Sequence, residues 1–222
     1  MKISVIIPIY NESAKIDTCL AELRELQGDF EVLFADGGSQ DDTVSRIPGR
    51  YRVIPCGKGR AVQMNTAARE ATGDYLWFVH CDSHLPENAL KQIAESNGEF
   101  GCFHIGFDYD GPFMGCNTFM SNRRAIMDHI AFGDQGIWIR RELFLEQGGF
   151  PEIPIMEDYE FSRRMKQQKI RLRVLPGRII TSGRRYQTGH PLKTMFSMIW
   201  LRHLYRTGLD IQEIARRYRD IR

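Results

Sequence analysis

The sequence ISVIIPIYNE at residues 3–12 is a short apolar run, rich in β-branched residues, that turns polar at its end. Such a run is typical of a strand buried on both faces. Polar groups bunched just past a buried strand suit a nucleotide base or ribose. The candidate binding residues here are Pro8, Tyr10, Asn11 and Glu12. The same residues can instead form only a turn and a helix cap, and this stretch alone does not separate the two interpretations.

The chain around this run alternates strands with helices. Buried strands are predicted at 30–35 and 75–79, and helices at 12–26, 61–71 and 86–96. This alternation predicts an α/β protein with a mostly parallel sheet flanked by helices, whose ligands bind beyond the carboxyl ends of the strands. The second half is less regular, with a strand predicted at 136–140 and helices at 159–168 and 192–206.

Two loops after the predicted strands carry residues suited to a nucleotide. In the first, Gly37 lets the backbone approach a ligand closely, and Asp36 and Ser39 offer hydrogen-bonding groups. The alternative is a glycine-rich turn in which Asp41 or Asp42 caps the next helix. The same loop can form such a turn and also bind a nucleotide. In the second loop, Lys58 and Arg60 stand at a helix start, which suits a diphosphate. Neither loop matches a P-loop or a dinucleotide-binding fingerprint.

Two further pairs of residues have catalytic chemistry. Asp82 and His84 follow the strand at 75–79 and can hold a divalent cation that neutralises a leaving diphosphate, although such a pair is more often a simple turn. Glu157 and Asp158 open a helix. Carboxylates in a first turn usually only offset the helix dipole, whereas an acid facing a cleft can act as a general base.

Composition excludes several classes of protein. The 222 residues carry a formal net charge of +2, with 42% hydrophobic and 26% charged residues, which is ordinary for a globular protein and does not indicate a nucleic-acid binder. Five cysteines without a C-x-x-C pair argue against a disulfide framework and favour a reducing, cytoplasmic location. No signal peptide is expected, because the first strand starts at residue 3, and no apolar run approaches the length of a membrane span.

Taken in order, these motifs resemble the family 2 glycosyltransferases of the GT-A fold. The resemblance runs through residue 170 and rests on segments 4–12, 36–39, 58–60, 82–84 and 157–158. Segments 133–136, 148–151 and 181–186 are also similar to a bacterial subgroup of arsenosugar-biosynthesis-type glycosyltransferases. The resemblance implies a nucleotide-diphospho-sugar transferase domain over residues 1–189. Its nucleotide-binding half would span about 1–100 and its acceptor half about 101–189, followed by an amphipathic helical extension over 190–222.

The resemblance also implies roles on the donor side. Asp36 would contact uracil beside the turn at 8–12, and Lys58 and Arg60 would lie near the nucleotide or diphosphate. Asp82 would bind the ribose and a divalent cation, Mn²⁺ or Mg²⁺.

On the acceptor side, Asp158 would deprotonate the acceptor hydroxyl, with Glu157 orienting it. The family's usual acid at the last D-x-D position is replaced by His84; imidazole can ligate Mn²⁺, but the coordination is left open. His190 is a candidate further ligand or, alternatively, an exposed histidine.

The implied reaction is a single in-line displacement that moves a sugar from a UDP-type donor to an unidentified acceptor with inversion. One alternative is a sugar-1-phosphate nucleotidyltransferase, but its glycine-rich N-terminal loop is absent at residues 8–11. The other is a non-catalytic nucleotide-sugar-binding scaffold at the membrane, against which the presence of both Asp82 and Asp158 argues.

The segment 192–206 has an apolar stripe with basic residues around it. The stripe comprises Leu192, Met195, Phe196, Ile199, Trp200 and Leu204, and the basic residues include Lys193, Arg202, Arg206, Arg216, Arg217, Arg219 and Arg222. The stripe can be buried on the catalytic domain or in a homodimer, or it can lie in a membrane interface. Membrane contact would place the site near a lipid-linked acceptor at the inner face of the membrane.

Overall fold

A single seven-stranded sheet forms the centre of the protein, in the order β3-β2-β1-β4-β6-β5-β7. The structure is a computed structural model that describes residues 1–111, 113–183 and 191–221. The strands are β1 (Ile3–Ile9), β2 (Phe30–Asp36), β3 (Arg52–Pro55), β4 (Tyr75–Phe78), β5 (Phe100–Phe107), β6 (Trp138–Arg140) and β7 (Leu172–Thr181). Among the described strands, only β6 runs antiparallel to its neighbours, β4 and β5, so the prediction of a mostly parallel sheet is confirmed.

Helices cover both faces of this sheet. They are α1 (Ile16–Glu25), α2 (Arg60–Glu70), α3 (Ala89–Glu95), α4 (Met114–Arg123), α5 (Arg141–Glu146), α6 (Glu157–Gln167), α7 (Pro191–Arg206) and α8 (Ile211–Ile221). A π-helical segment, Arg124–Asp128, extends α4, and short 3₁₀ turns lie at Val44–Arg46 and Gly133–Gln135.

Strand β1 explains why the sheet is covered on both sides. Val5 and Ile7 join one hydrophobic cluster, with residues of α1 and α3, while Ile6 joins the other, with residues of α2, α5 and α6. Successive side chains of a strand point to opposite faces, so an unbroken apolar strand requires a helix layer on each side.

Helix α1 begins later than the predicted start at residue 12. The carbonyl of Glu12 accepts hydrogen bonds from the backbone N–H groups of Lys15 (2.8 Å) and Ile16 (2.9 Å), so a turn precedes the helix. Asn11 has a φ of +54°, a left-handed conformation that Asn tolerates better than most residues. The polar residues after β1 therefore stay in a loop at the end of the strand.

Strand β7 lacks a sequence pattern that reveals it. Its pairing with β5 shifts between Phe103 and His104, which lie opposite Leu175 and Arg178, so Pro176 and Gly177 fall in the irregularity. The Gly177 N–H donates instead to the side chain of Gln92 on α3, at 2.8 Å. A β-bulge that contains proline breaks the period of two on which strand recognition depends.

A side-chain clamp fixes the loop after α5 to α2. The buried amide of Asn65 donates to the Phe150 carbonyl (2.8 Å) and accepts from the Phe150 N–H (2.9 Å). Gly149 has a φ of +71°, and a Cβ there would come within 2.6 Å of the Asn65 amide oxygen. The glycine is therefore required both by the backbone conformation and by the close approach of Asn65.

Helix α7 lies against α6 and turns its apolar stripe outward. Thr194 and Leu201 are buried, and the Tyr205 hydroxyl donates to Glu160 at 2.9 Å. Phe196, Ile199 and Trp200 are exposed and Met195 and Leu204 are half-buried, so the catalytic domain does not bury these three exposed members of the stripe. Contact with a second copy or a membrane stays a prediction, as do the domain boundaries at residues 100 and 189.

Among the described helices, none is long and apolar enough to cross a membrane. The predicted ligand His190 and residues 184–186 of the subgroup motif lie outside the described residues, as do the side chains of Leu192, Lys193, Arg219 and Arg222.

Candidate active site

The loop after β1 is joined to the loop after β2 by a hydrogen-bonded network. The Ser39 hydroxyl donates to Asp36 Oδ1 (2.6 Å) and accepts from the Asn11 N–H (3.0 Å). The Asn11 side-chain oxygen accepts from the Gln40 N–H at 2.8 Å. Asp36 also accepts from the N–H groups of Gly38 and Ser39. The structure therefore brings together the predicted binding residues of both loops, and both form the turns that the alternative interpretation expects.

A buried glutamine, Gln63, lies beneath the two loops that follow β1 and β2, which together we call the corner. Gln63 on α2 donates from one amide nitrogen to the carbonyls of Ile9 and Ala35, each at 2.7 Å. These carbonyls lie near the ends of β1 and β2. A Cβ on Gly37 would approach the Gln63 side chain to 3.0 Å, so glycine allows this loop to lie close to α2.

Two cations border the corner. The Lys58 ammonium lies 4.0 Å from the centre of the Tyr10 ring. This cation–π contact joins the loop before α2 to the loop after β1. Arg60, the first residue of α2, pairs with Glu157, the first residue of α6, at 3.3 Å. The Glu157 side chain is 4% exposed and that of Arg60 is 41% exposed, so the guanidinium faces partly outward from a buried carboxylate.

The carboxylate of Asp158 is held by backbone groups. Its Oδ2 accepts the Gly133 N–H and its Oδ1 accepts the Tyr159 N–H, both at 2.7 Å. A Cβ on Gly133 would lie 3.1 Å from His80 Nε2 and 3.4 Å from Asp158 Oδ2, so both side chains face this glycine. His80 follows β4, and Asp158 opens α6. The end of β4 and the start of α6 therefore meet at Gly133.

Burial perturbs the charged groups beside Asp158. It raises the pKa of Glu157, with a further contribution from Asp158, and the cation of Arg60 only partly opposes the rise. Desolvation on the inner side of the partly exposed Arg60 guanidinium disfavours its charge, but the carboxylates of Glu157, Asp158 and Asp134 outweigh this effect and raise the pKa of Arg60. Arg60 is therefore a permanent cation at the edge of the site.

A second arginine stabilises the loop that holds Asp158. Arg124 donates to the Gln135 side chain at 2.9 Å and stacks on the Phe132 ring at 3.8 Å from its centre. Burial lowers the pKa of Arg124 to about 10, which still leaves it charged at neutral pH. Phe132 directly precedes Gly133, so this packing fixes the N–H that Asp158 accepts.

The predicted metal ligands Asp82 and His84 do not share a partner. The His84 ring lies 2.8 Å from Glu22 of α1, and its backbone pairs with that of Ile180. Within the described ranges, no group of three His, Cys, Asp or Glu residues could hold a metal ion. The assignment of Asp82 and His84 to a cation stays a prediction, and His84 has a structural role besides.

Sequence reasoning missed His80, Gly133 and Arg124. His80 was within the motif that predicted Asp82 and His84, but spacing alone did not reveal which member faces Asp158. Gly133 lies in the subgroup segment 133–136, whereas Arg124 carries no sequence signal, because its burial depends on packing between distant segments.

This fold, a mostly parallel sheet covered by helices on both faces, is that of the GT-A glycosyltransferases. The family model described as glycosyl transferase family 2 matches residues 4–153. The chain belongs to glycosyl transferase family 2. It is 30% identical over 178 residues to a PGL/p-HBAD biosynthesis glycosyltransferase of Mycobacterium bovis, covering 72% of this chain and 68% of that protein.

Solved structures share the fold. S. aureus TarS 1-349, in complex with UDP-GlcNAc, superimposes with a TM-score of 0.64 at 22% identity, covering 82% of this chain and 58% of that one. The mannosyltransferase PcManGT from Pyrobaculum calidifontis, in complex with GDP-Man and Mn²⁺, gives a TM-score of 0.65 at 21% identity, covering 99% and 69%. These neighbours show the fold of the chain, and the family match shows that it is a family 2 glycosyltransferase.

Proposed function

We propose that the protein transfers a sugar from a UDP-sugar to an acceptor hydroxyl with inversion, using Asp158 as the general base. The observation that carries this proposal is the double backbone hydrogen bond that orients the Asp158 carboxylate. Each carboxylate oxygen has a further lone pair with which to accept a proton. A positioned base of this kind removes the proton of the attacking hydroxyl as the bond to the anomeric carbon forms.

The donor is proposed to lie over the network of Asn11, Asp36 and Ser39, with its diphosphate toward the start of α2. The backbone there is glycine-rich, Gly59 has a φ of +137°, and Arg60 and Lys58 supply positive charge. A helix start with free N–H groups and nearby cations favours a diphosphate. UDP is proposed rather than GDP for two reasons. Asp36 is predicted to contact uracil, and TarS, which shares the fold, binds UDP-GlcNAc.

A divalent cation, Mn²⁺ or Mg²⁺, is proposed to arrive with the donor. Mg²⁺ sites that bind phosphorylated substrates are usually formed by one or two carboxylates together with the substrate phosphates. Asp82 would hold it, and when bound the cation would stabilise the charge of the departing diphosphate. PcManGT, with Mn²⁺ in its complex, supports the use of such an ion.

Inversion follows from a single displacement, since the acceptor oxygen attacks the face opposite the leaving diphosphate. Nucleotidyl transfer is disfavoured because the chain belongs to a family of sugar transferases. The acceptor is proposed to be lipid-linked and reached at the inner face of the membrane. The exposed apolar residues of α7 support this, because the chain leaves them in water and a partner or a bilayer would cover them.

The direct test is incubation with a panel of UDP- and GDP-sugars, with and without Mn²⁺. We expect slow, cation-dependent release of UDP from one UDP-sugar, and NMR of the product of transfer or hydrolysis should show the inverted anomer. Asp158→Asn serves as the inactive control. Retention of the donor's configuration would refute inversion, and release of GDP alone would refute UDP as the donor nucleotide.

A further inference from the structure

Most of the large apolar side chains exposed in the described chain lie in two segments. One runs from residue 113 to 127, and the other is the outer face of α7. The first contributes Phe113, Phe119, Met120, Ile126 and Met127, and the second contributes Phe196, Ile199 and Trp200. Phe119, Phe196 and Trp200 are 64%, 62% and 55% exposed, so these rings are largely in water.

The two segments are neighbours in space. Arg124, which begins the π-helical segment, and Arg202 of α7 both lie over the ring of Phe132, at 3.8 Å and 5.6 Å from its centre. Burial lowers the pKa of the Arg202 guanidinium, and the negative charge of nearby Asp128 partly opposes the decrease. Helix α7 therefore runs beside the end of the first segment, and we name their exposed residues together the apolar face.

The charge around the apolar face is positive. Residues 113–129 and 191–206 together contain five Lys or Arg residues and a single acid, Asp128. Arg123 and Arg206 are exposed. A second copy of this chain would bring the same positive charge against this face, whereas an anionic lipid surface would complement it.

We propose that the apolar face docks on the surface of an anionic bilayer. Phe and Trp side chains enter the interface between headgroups and acyl chains, and the exposed Arg123 and Arg206 pair with lipid phosphates. The surface comprises two chain segments rather than the C-terminal helix alone. Phe132 adjoins Gly133, so docking would bring Asp158 toward the membrane; this last consequence rests on the proposed function.

The test is co-sedimentation of the full chain with vesicles of phosphatidylglycerol and, separately, of phosphatidylcholine. We expect binding to the anionic vesicles that weakens as salt rises, and weaker binding to the neutral ones. The paired changes Phe196→Ser with Trp200→Ser, and Phe119→Ser with Met120→Ser, should each reduce the partition by about tenfold or more. As a matched control, Val44→Ser with Leu145→Ser alters exposed apolar residues of other elements and should leave binding unchanged.

Circular dichroism and thermal unfolding of each variant establish that it is folded, and light scattering gives its mass. Wild-type protein that remains in the supernatant at low salt overturns the proposal. So does a wild-type dimer that becomes monomeric on Phe196→Ser with Trp200→Ser while no variant binds vesicles, which would assign the face to a second copy. Sedimentation does not depend on sugar transfer, so this result is independent of the test of the proposed function.

Discussion

The Arg60 guanidinium reaches the Glu157 carboxylate, 3.3 Å away, across 97 positions of sequence. The pair joins the first residue of α2, in the predicted nucleotide-binding half, to the first residue of α6, which precedes the proposed base. Because Glu157 is buried, removing its partner would leave an uncompensated charge, which is costly. The pair therefore couples the position of Asp158 to the loop proposed to bind the diphosphate.

The first prediction is a pH dependence of stability that originates from Glu157. Its pKa is raised above the ordinary value of 4.5, so the folded state retains a proton that the unfolded state loses. The stabilisation is present below pH 4.5 and is lost as the pH rises through the folded pKa. In urea unfolding, the stability of wild type relative to Glu157→Gln should therefore fall as the pH rises above 4.5. A relative stability that grows with pH would contradict the assigned direction.

Asp158→Asn should abolish most transfer and leave donor binding intact. The amide oxygen can still accept one of the two backbone N–H groups, but the side chain can no longer take a proton. We expect a loss in kcat of about 100-fold or more, measured with the donor found active. Glu160→Gln is the control, since this acid lies in the same first turn and faces Tyr205. Equal losses of kcat in both variants would show that Asp158 is not the general base.

Asp82→Ala should weaken the binding of UDP only when a divalent cation is present. Calorimetry with and without Mn²⁺ measures this, because the proposed contact is made through the cation. The paired variant His84→Ala should have the smaller effect, since its ring is engaged with Glu22. The same UDP affinity for wild type and Asp82→Ala, with and without Mn²⁺, would show that this segment is only a turn at the end of the strand.

Gln63→Ala should destabilise the protein and weaken its binding of UDP. The change removes the 2.7 Å donor from the carbonyls of Ile9 and Ala35, and since Ile9 still accepts the Gly37 N–H at 3.0 Å, we expect a cost of about 1 kcal/mol or more. Urea unfolding measures the loss, with Gln40→Ala, an exposed glutamine of the same corner, as the control. A Gln63→Ala protein as stable as the control variant would mean that water or a shifted side chain replaces these bonds.

The sequence predicts the fold of about the first 100 residues well and that of the later residues less well. Strands β1 and β2 are unbroken apolar runs, and their loops contain the residues that meet in the Asn11–Ser39–Asp36 network. By contrast, the contact of His80 and Asp158 with Gly133 depends on the placement of a loop after the π-helical segment. Local patterns report on periodicity and turns, whereas such contacts depend on packing between segments far apart in sequence. The outward orientation of the α7 stripe could not be predicted either, because apolar spacing shows which residues share a helix face but not what that face contacts.

The clamp between Asn65 and the Phe150 backbone has an evolutionary consequence. Asn65 occupies the space that any side chain at position 149 would need, and the same Asn satisfies the N–H and the carbonyl of the next residue. Neither position can change alone without either a steric clash or an unsatisfied buried peptide. An alignment of relatives that have this loop length should therefore show positions 65 and 149 covarying, and frequent independent replacement would indicate that the loop adopts another conformation in those proteins.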